Sequence, residues 1–187
     1  MERRPTPRPG YDEYFMAMAR LSDSRSTCFR RQVGAVIVRE KHVIATGYNG
    51  NPKGFAHCED IGCIREELQV PSGQNHELCT GLHAEQNAIL QAARFGHGVD
   101  GSTMYTTVFP CVICVKMMVN AGIKEVVYEE GYPDPLGAWM LARSALLARR
   151  HGASAPDPKD TSKPLEALAE EMKPQLPWFR GNATLKV

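Results

Sequence analysis

The chain has 187 residues, 43% hydrophobic and 23% charged, with a formal net charge of +1. That length supports one domain with a sizeable core and some chain to spare, and the composition is that of an ordinary soluble globular protein. A near-neutral charge recruits neither nucleic acid nor an anionic membrane through a global field, no apolar run approaches a membrane span, and the start MERRPTPRPG has no apolar segment of the secretory kind. A cytoplasmic location is therefore expected, where six cysteines serve metal or catalysis more often than disulfides.

Eight of the 13 prolines fall in the first ten residues or beyond Ser154. They delimit a flexible N-terminal segment (1–10), a body (11–153) and a C-terminal extension (154–187). Tyr11, Tyr14, Phe15, Met18 and Leu21 recur at helical spacing, so the body opens with an amphipathic helix. VGAVIV (33–38) and HVIATGY (42–48) read as paired strands around a short turn. A helix from about His83 to Arg94 comes next, then a strand at 103–107, a helix from about Cys111 to Ala121, a strand at 123–129 and a helix over 134–152. Alternating strands and helices predict an α/β fold of three layers, α/β/α, with a mixed sheet of four to five strands covered by helices on both faces.

Two regions do not fit a minimal domain. Residues 49–80 show no periodicity, and so long a connection is usually functional or held by something else. After Gly152 a further strand is expected, but ASAPDPKD cannot supply an apolar one. The extension then places Leu165, Leu168, Ala169 and Met172 at the spacing of one short helix that docks on the body or a neighbouring subunit, or forms only transiently.

The chemistry gathers at two helix starts. LHAEQNA (82–88) places His83 and Glu85 two residues apart, on opposite sides of a helix barrel. They meet only if the helix begins there, where first-turn side chains lean past its end and unpaired N–H groups gather. PCVIC (110–114) opens the next helix with Cys111 and Cys114 three apart, and the helix dipole favours their thiolates. Two thiolates and one imidazole suit tetrahedral zinc, and three protein ligands leave a fourth position for water. Taken singly, His83 would more often be a core histidine, Glu85 a dipole partner, and the cysteines a redox pair or structural knuckle. The ordered combination H-x-E…P-C-x-x-C is the signature of zinc deaminases. Zinc lowers the pKa of bound water, two thiolates blunt that effect, and Glu85 is the carboxylate placed to take the proton. N–H groups near Ala84 and Cys111 are placed to hydrogen-bond a base edge.

Five segments together resemble the deoxycytidylate (dCMP) deaminases, especially their bacterial and phage members: STCFRRQVGAVIV (26–38), GYNGNPKG (47–54), HAEQNAI (83–89), FPCVICVKMMVNAGIKEVVY (109–128) and GYPD (131–134). The resemblance covers about residues 11–150. It implies a cytidine-deaminase-like fold and hydrolysis of dCMP to dUMP and ammonia, feeding dTMP synthesis. It also implies a homo-oligomer, often a hexamer, and frequent regulation by dCTP and dTTP. Asn49 matches the sugar-contacting asparagine of GYNG, although an Asn-Gly turn would equally place it there. Arg30 and Tyr132 match positions that hold the 5′-phosphate, a role an arginine fork suits; without the resemblance Arg30 reads as a solvated charge. Phe109 and Tyr132 are candidates to pack on the pyrimidine, or are core.

Four cysteines remain. Cys58 and Cys63 bracket four residues inside the long loop, Cys28 precedes the first strand and Cys79 lies just ahead of His83. A second, structural zinc held by all four would supply folding energy that the loop's composition cannot. His57 or His76 could replace one cysteine, and phage relatives hold a second zinc in this region with different donors. Four ordinary thiols are the plainer alternative. The rival functions are a deaminase of another cytosine, guanine or adenine compound, or a zinc-stabilised nucleotide sensor without turnover. A nucleic-acid editor would need a basic groove, which the charge does not favour.

Overall fold

The computed structural model describes residues 7–131 and 134–153. Tyr132 and the extension 154–187, with its expected helix, lie outside the described residues.

Helix α1 (Tyr11–Asp23) buries Phe15, Met16 and Ala19 against one face of a five-stranded sheet, where Val36, Val38, Tyr105 and Val127 receive them. Strands β1 (Gly34–Arg39) and β2 (His42–Tyr48) form the expected hairpin. Its two connecting residues, Glu40 and Lys41, have φ of 51° and 65°, the left-handed pair that a tight hairpin turn demands of the twisted ribbon. β1 also runs antiparallel to β3 (Thr103–Val108), and β3, β4 (Glu125–Glu130) and β5 (Leu147–Arg150) are parallel, in the order β2-β1-β3-β4-β5.

Parallel neighbours require crossovers, supplied by α5 (Val112–Asn120) and α6 (Pro135–Arg143). These and α4 (Ala84–Arg94) build the larger core on the sheet face opposite α1. β1 is buried on both sides, which explains why GAVIV reads as an unbroken apolar run. The expected three-layer α/β/α architecture with a mixed sheet is what the chain forms.

The helix expected over 134–152 is a correction. α6 stops at Arg143, Ser144 turns extended (φ −100°, ψ 169°), and Leu147–Arg150 form the fifth strand. The strand sought after Gly152 therefore lies before it. Its basic composition hid it: Arg149 faces α1 and is neutralised there, with Nε 2.8 Å from Glu125 Oε1 and Nη1 2.7 Å from Asp12 Oδ2. An edge strand needs few apolar residues when its charges are paired in this way.

The long connection also acquires structure. α2 (Cys58–Ile61), α3 (Ile64–Glu67) and a 3-10 turn at His76–Leu78 are each too short to show periodicity. Paired backbone bonds between Gly50 and Leu82 (3.1 and 2.9 Å) close the excursion at its base, one residue before His83.

Candidate active site

His83 is the N-cap of α4 (φ −76°, ψ 159°) and Cys111 is the N-cap of α5 (φ −70°, ψ 167°). Both donors therefore sit at helix entrances, as the spacing anticipates. Gln86 fixes the first entrance, its Oε1 accepting from His83 N at 2.8 Å, a capping-box arrangement. β2 approaches α4 so closely that a Cβ on Gly47 would stand 2.1 Å from Ala84 O and 2.5 Å from Ala88 N. Only glycine permits that contact, and it seats the first turn of α4 against the sheet.

Across this junction His83 Nδ1 lies 3.3 Å from Cys111 Sγ and 3.4 Å from Cys114 Sγ, and the two sulfurs are 3.7 Å apart. Tetrahedral zinc, with bonds of about 2.3 Å to sulfur and about 2.0 Å to nitrogen, sets ligand atoms roughly 3.5 to 3.8 Å apart. The three donors fit that ion. Among the described residues they are the one set of three or more metal-type donors lying within 4.8 Å of one another.

Glu85 is 3% exposed and lines the same cavity, of about 910 Å³, that holds His83 and Cys111. Burial pushes its carboxyl up, against the pull of His83, toward the range where a group both accepts and returns protons. The Cys111 thiol is pushed down to about 3, chiefly by the hydrogen bond from Cys114 and next, against opposing burial, by His83. Cys114, its proton shared with Cys111 and its sulfur buried, is pushed up. One thiolate is thus ready, and a bound cation would draw out the second.

The other predicted positions divide. Ala84 is buried in the first turn of α4 and lines the cavity. Phe109 also lines it, edge-on to Tyr128 at 4.9 Å between centroids. Asn49 lines it too, but both ends of its amide are engaged, accepting from Val33 N and donating to Arg31 O, each at 2.8 Å. Its first role is to hold the segment entering β1 against the end of β2. Arg30 is half-buried on the cavity wall and donates to Val70 O at 2.8 Å. Tyr132 lies outside the described residues.

Cys28, Cys58, Cys63 and Cys79 are free thiols that line one cavity. They are not drawn within 4.8 Å of one another as the first donor set is. The Cys58 thiol is pushed up, first by burial and then by the other three cysteines.

Asp134 and Arg65 were given no role by the sequence reading, and His76 only that of a possible substitute ligand for the second zinc. Asp134 Oδ2 accepts from Val112 N at 3.1 Å while its Oδ1 caps α6. His76 packs edge-on against His83 at 4.9 Å, and its Nδ1 is buried without a partner. Arg65 is buried in the cavity wall. Asp134 was visible as the acid of GYPD just before a proline-started helix; the other two lie in a loop with no pattern to place them.

A mixed α/β/α sheet that aims His-x-Glu and Cys-x-x-Cys from two helix entrances at one cavity defines a zinc-binding fold of the deaminase type. The model of the cytidine and deoxycytidylate deaminase zinc-binding region matches residues 9–130, and the chain belongs to that family. It is 40% identical over 155 residues to deoxycytidylate deaminase of Saccharomyces cerevisiae, which covers 83% of this chain and 49% of that protein. Identity to ComE operon protein 2 of Bacillus subtilis is 46% over 125 residues, covering 67% and 62%. The chain thus spans about half the length of the yeast relative. Among solved structures, the dCMP deaminase of cyanophage S-TIM5 in complex with dCMP and dUMP superposes with a TM-score of 0.65 at 33% identity, over 78% of this chain and 99% of that one.

Proposed function

We propose that the protein hydrolyses dCMP to dUMP and ammonia, a reaction that feeds dTMP synthesis. The observation that carries this reading is the buried Glu85 lining the same cavity as His83 and Cys111, whose donor set the fully buried Cys114 completes. His83, Cys111 and Cys114 would hold zinc, which would supply Lewis-acid activation of a water directed at the amidine-type ring carbon. Glu85 takes a proton from the attacking water and delivers it to the ring nitrogen, then takes the second proton from the new ring hydroxyl and passes it to the amine, which leaves as ammonia as the carbonyl forms. Backbone N–H groups near Ala84 and Cys111 are assigned to the base edge, and Phe109 to the face of the ring. Asn49 faces the sugar, and Arg30 and Tyr132 are assigned to the 5′-phosphate. The cyanophage neighbour crystallised with dCMP and dUMP supports this substrate over cytidine, guanine or adenosine. A sensor without turnover would have no use for a buried carboxyl here.

Ammonia release from dCMP, dCTP, cytidine, guanine and adenosine tests the proposal. dCMP should be the preferred substrate by at least about tenfold, as the loss of one charged hydrogen bond predicts. No release from dCMP by zinc-loaded protein would refute it.

Three finer readings accompany it. A second, structural zinc held by Cys28, Cys58, Cys63 and Cys79 would pin the 49–80 segment; the gathering of four thiols on one cavity supports it, and metal analysis should find two zincs per chain. A homo-oligomer, such as a hexamer regulated by dCTP and dTTP, is supported by exposed Leu90 and Phe95 on and beside α4, and sedimentation with and without each nucleotide tests it. A cytoplasmic location accords with the absence, among the described residues, of any helix long and apolar enough to cross a membrane.

A further inference from the structure

Two arginines hold the same stretch of backbone. Arg30 Nη2 donates to Val70 O at 2.8 Å. Arg65 Nη2 donates to the next carbonyl, Pro71 O, at 3.2 Å and also to Gln74 O. Val70 N in turn bonds Arg65 O at 2.8 Å, so α3 and the 70–74 turn form one unit. Both arginines line the cavity that His83 and Glu85 also line.

Arg65 is only 8% exposed, and it and Glu85 are the two charged residues among the buried ones described. Its Nε is enclosed and has no partner. Among the described residues no carboxylate lies within 4.0 Å of it, although Glu66 lines the same cavity. A staple for the 71–74 turn would account for Nη2 and leave the rest of the guanidinium without work. A buried cation lacking a counter-charge is costly, and a second guanidinium on the adjacent carbonyl adds like-charge repulsion. An anion between them removes both penalties.

We propose that Arg65 joins Arg30 as an anion clamp for the 5′-phosphate of the nucleotide, with Arg65 the residue that separates a nucleoside monophosphate from its nucleoside. The inference rests on the deaminase reading above for the identity of the nucleotide, and on the paired arginines for the anion. A phosphate dianion matches two forks better than a carboxylate does, because its several oxygens accept from both at once. A cavity of about 910 Å³ accommodates base, sugar and phosphate together, lying within the roughly 300 to 1,000 Å³ of small-ligand sites.

The test uses the zinc-loaded full chain and the variants Arg65→Gln and Arg65→Lys. Turnover is measured on dCMP and on deoxycytidine, and the binding of inorganic phosphate is measured by calorimetry without turnover. Arg65→Gln should lower kcat/KM for dCMP about 10- to 100-fold, mostly through KM, and change deoxycytidine by less than about threefold. Phosphate binding should weaken in parallel. Arg65→Lys keeps the charge but loses the fork and should fall between. Equal losses on both substrates, or undiminished phosphate binding, would overturn the proposal. Should Arg65→Gln fail to fold, unchanged dCMP-to-deoxycytidine selectivity in Arg65→Lys overturns it instead. Should the wild type not turn over dCMP, the deaminase reading falls, and phosphate binding still decides the clamp: weakened in Arg65→Lys it stands, unchanged it fails.

Discussion

Asp134 and Val112 are joined by a hydrogen bond, Val112 N to Asp134 Oδ2 at 3.1 Å, while the other oxygen of Asp134 accepts from Leu136 N and Gly137 N at 2.9 and 3.0 Å. One carboxylate thereby satisfies the open N–H groups of two helices. The donor it holds on α5 lies between Cys111 and Cys114, so the same bond fixes the metal-donor turn.

Asp134→Ala should therefore cost both stability and metal. Loss of an N-cap costs about 0.5 to 2 kcal/mol, and loss of an outer support of a metal site typically weakens affinity about 10- to 100-fold. Chelator competition against wild type, alongside thermal unfolding, checks both. Unchanged zinc affinity with lowered stability would confine Asp134 to capping α6.

Glu85→Gln preserves shape and burial but cannot carry a proton. Zinc content and fold should match wild type while deamination falls by about 10² to 10⁴, the usual size of a lost general acid–base. Near-wild-type turnover by a variant with full zinc would remove Glu85 from the chemistry.

Gly47→Ala tests the seat of α4. The added Cβ would meet Ala84 O at 2.1 Å and Ala88 N at 2.5 Å, both backbone atoms that cannot step aside alone. Overpacking of this kind costs about 1 to 3 kcal/mol, occasionally more. The expected result is a clear fall in unfolding midpoint with loss of zinc, because His83 directly precedes Ala84. A variant as stable as wild type would mean that β2 and α4 separate easily.

Much of this architecture was legible because its signals were local. Helix α1, the β1–β2 hairpin and the two donor helices each carry their periodicity or turn within a few residues, and His83, Glu85, Cys111 and Cys114 declare themselves by spacing at helix starts. β5 was not legible, since LARR is apolar and basic in a way that continues the α6 pattern. Its strand character comes from pairing with β4 and from Asp12 on α1, 137 positions away from Arg149. Arg65, and the placement of His76 beside His83, were hidden for a similar reason. They sit on single-turn elements whose placement depends on the Gly50–Leu82 bridge and the arginine-bound carbonyls, contacts no short window contains. The expected sugar contact of Asn49 rests on the GYNG motif, whereas its observed bonds to Val33 and Arg31 depend on how β1 and β2 meet.

The network that neutralises β5 should also set an acid limit on stability. Asp12 receives Arg149 and the Tyr105 hydroxyl, the latter at 2.8 Å, and Arg149 holds its carboxyl below the usual range against opposing burial. Glu129 is held low in the same way, by Arg20. A carboxyl whose folded pKa is depressed stabilises the fold above its unfolded pKa, about 3.9 for Asp and about 4.3 for Glu, and loses that contribution as pH falls through the folded value. Asp12→Asn should thus lower stability at pH 7, by no more than about 1 kcal/mol since the pair is partly solvated. The difference from wild type should begin to shrink as pH falls below about 4, where Asp12 of the unfolded chain takes up its proton, and should vanish only below the lowered folded value. Urea unfolding of both proteins across pH 3 to 7 reads this directly. A deficit that stays constant over that range would show that Asp12 acts through packing and hydrogen bonding, with its charge irrelevant to holding the edge strand.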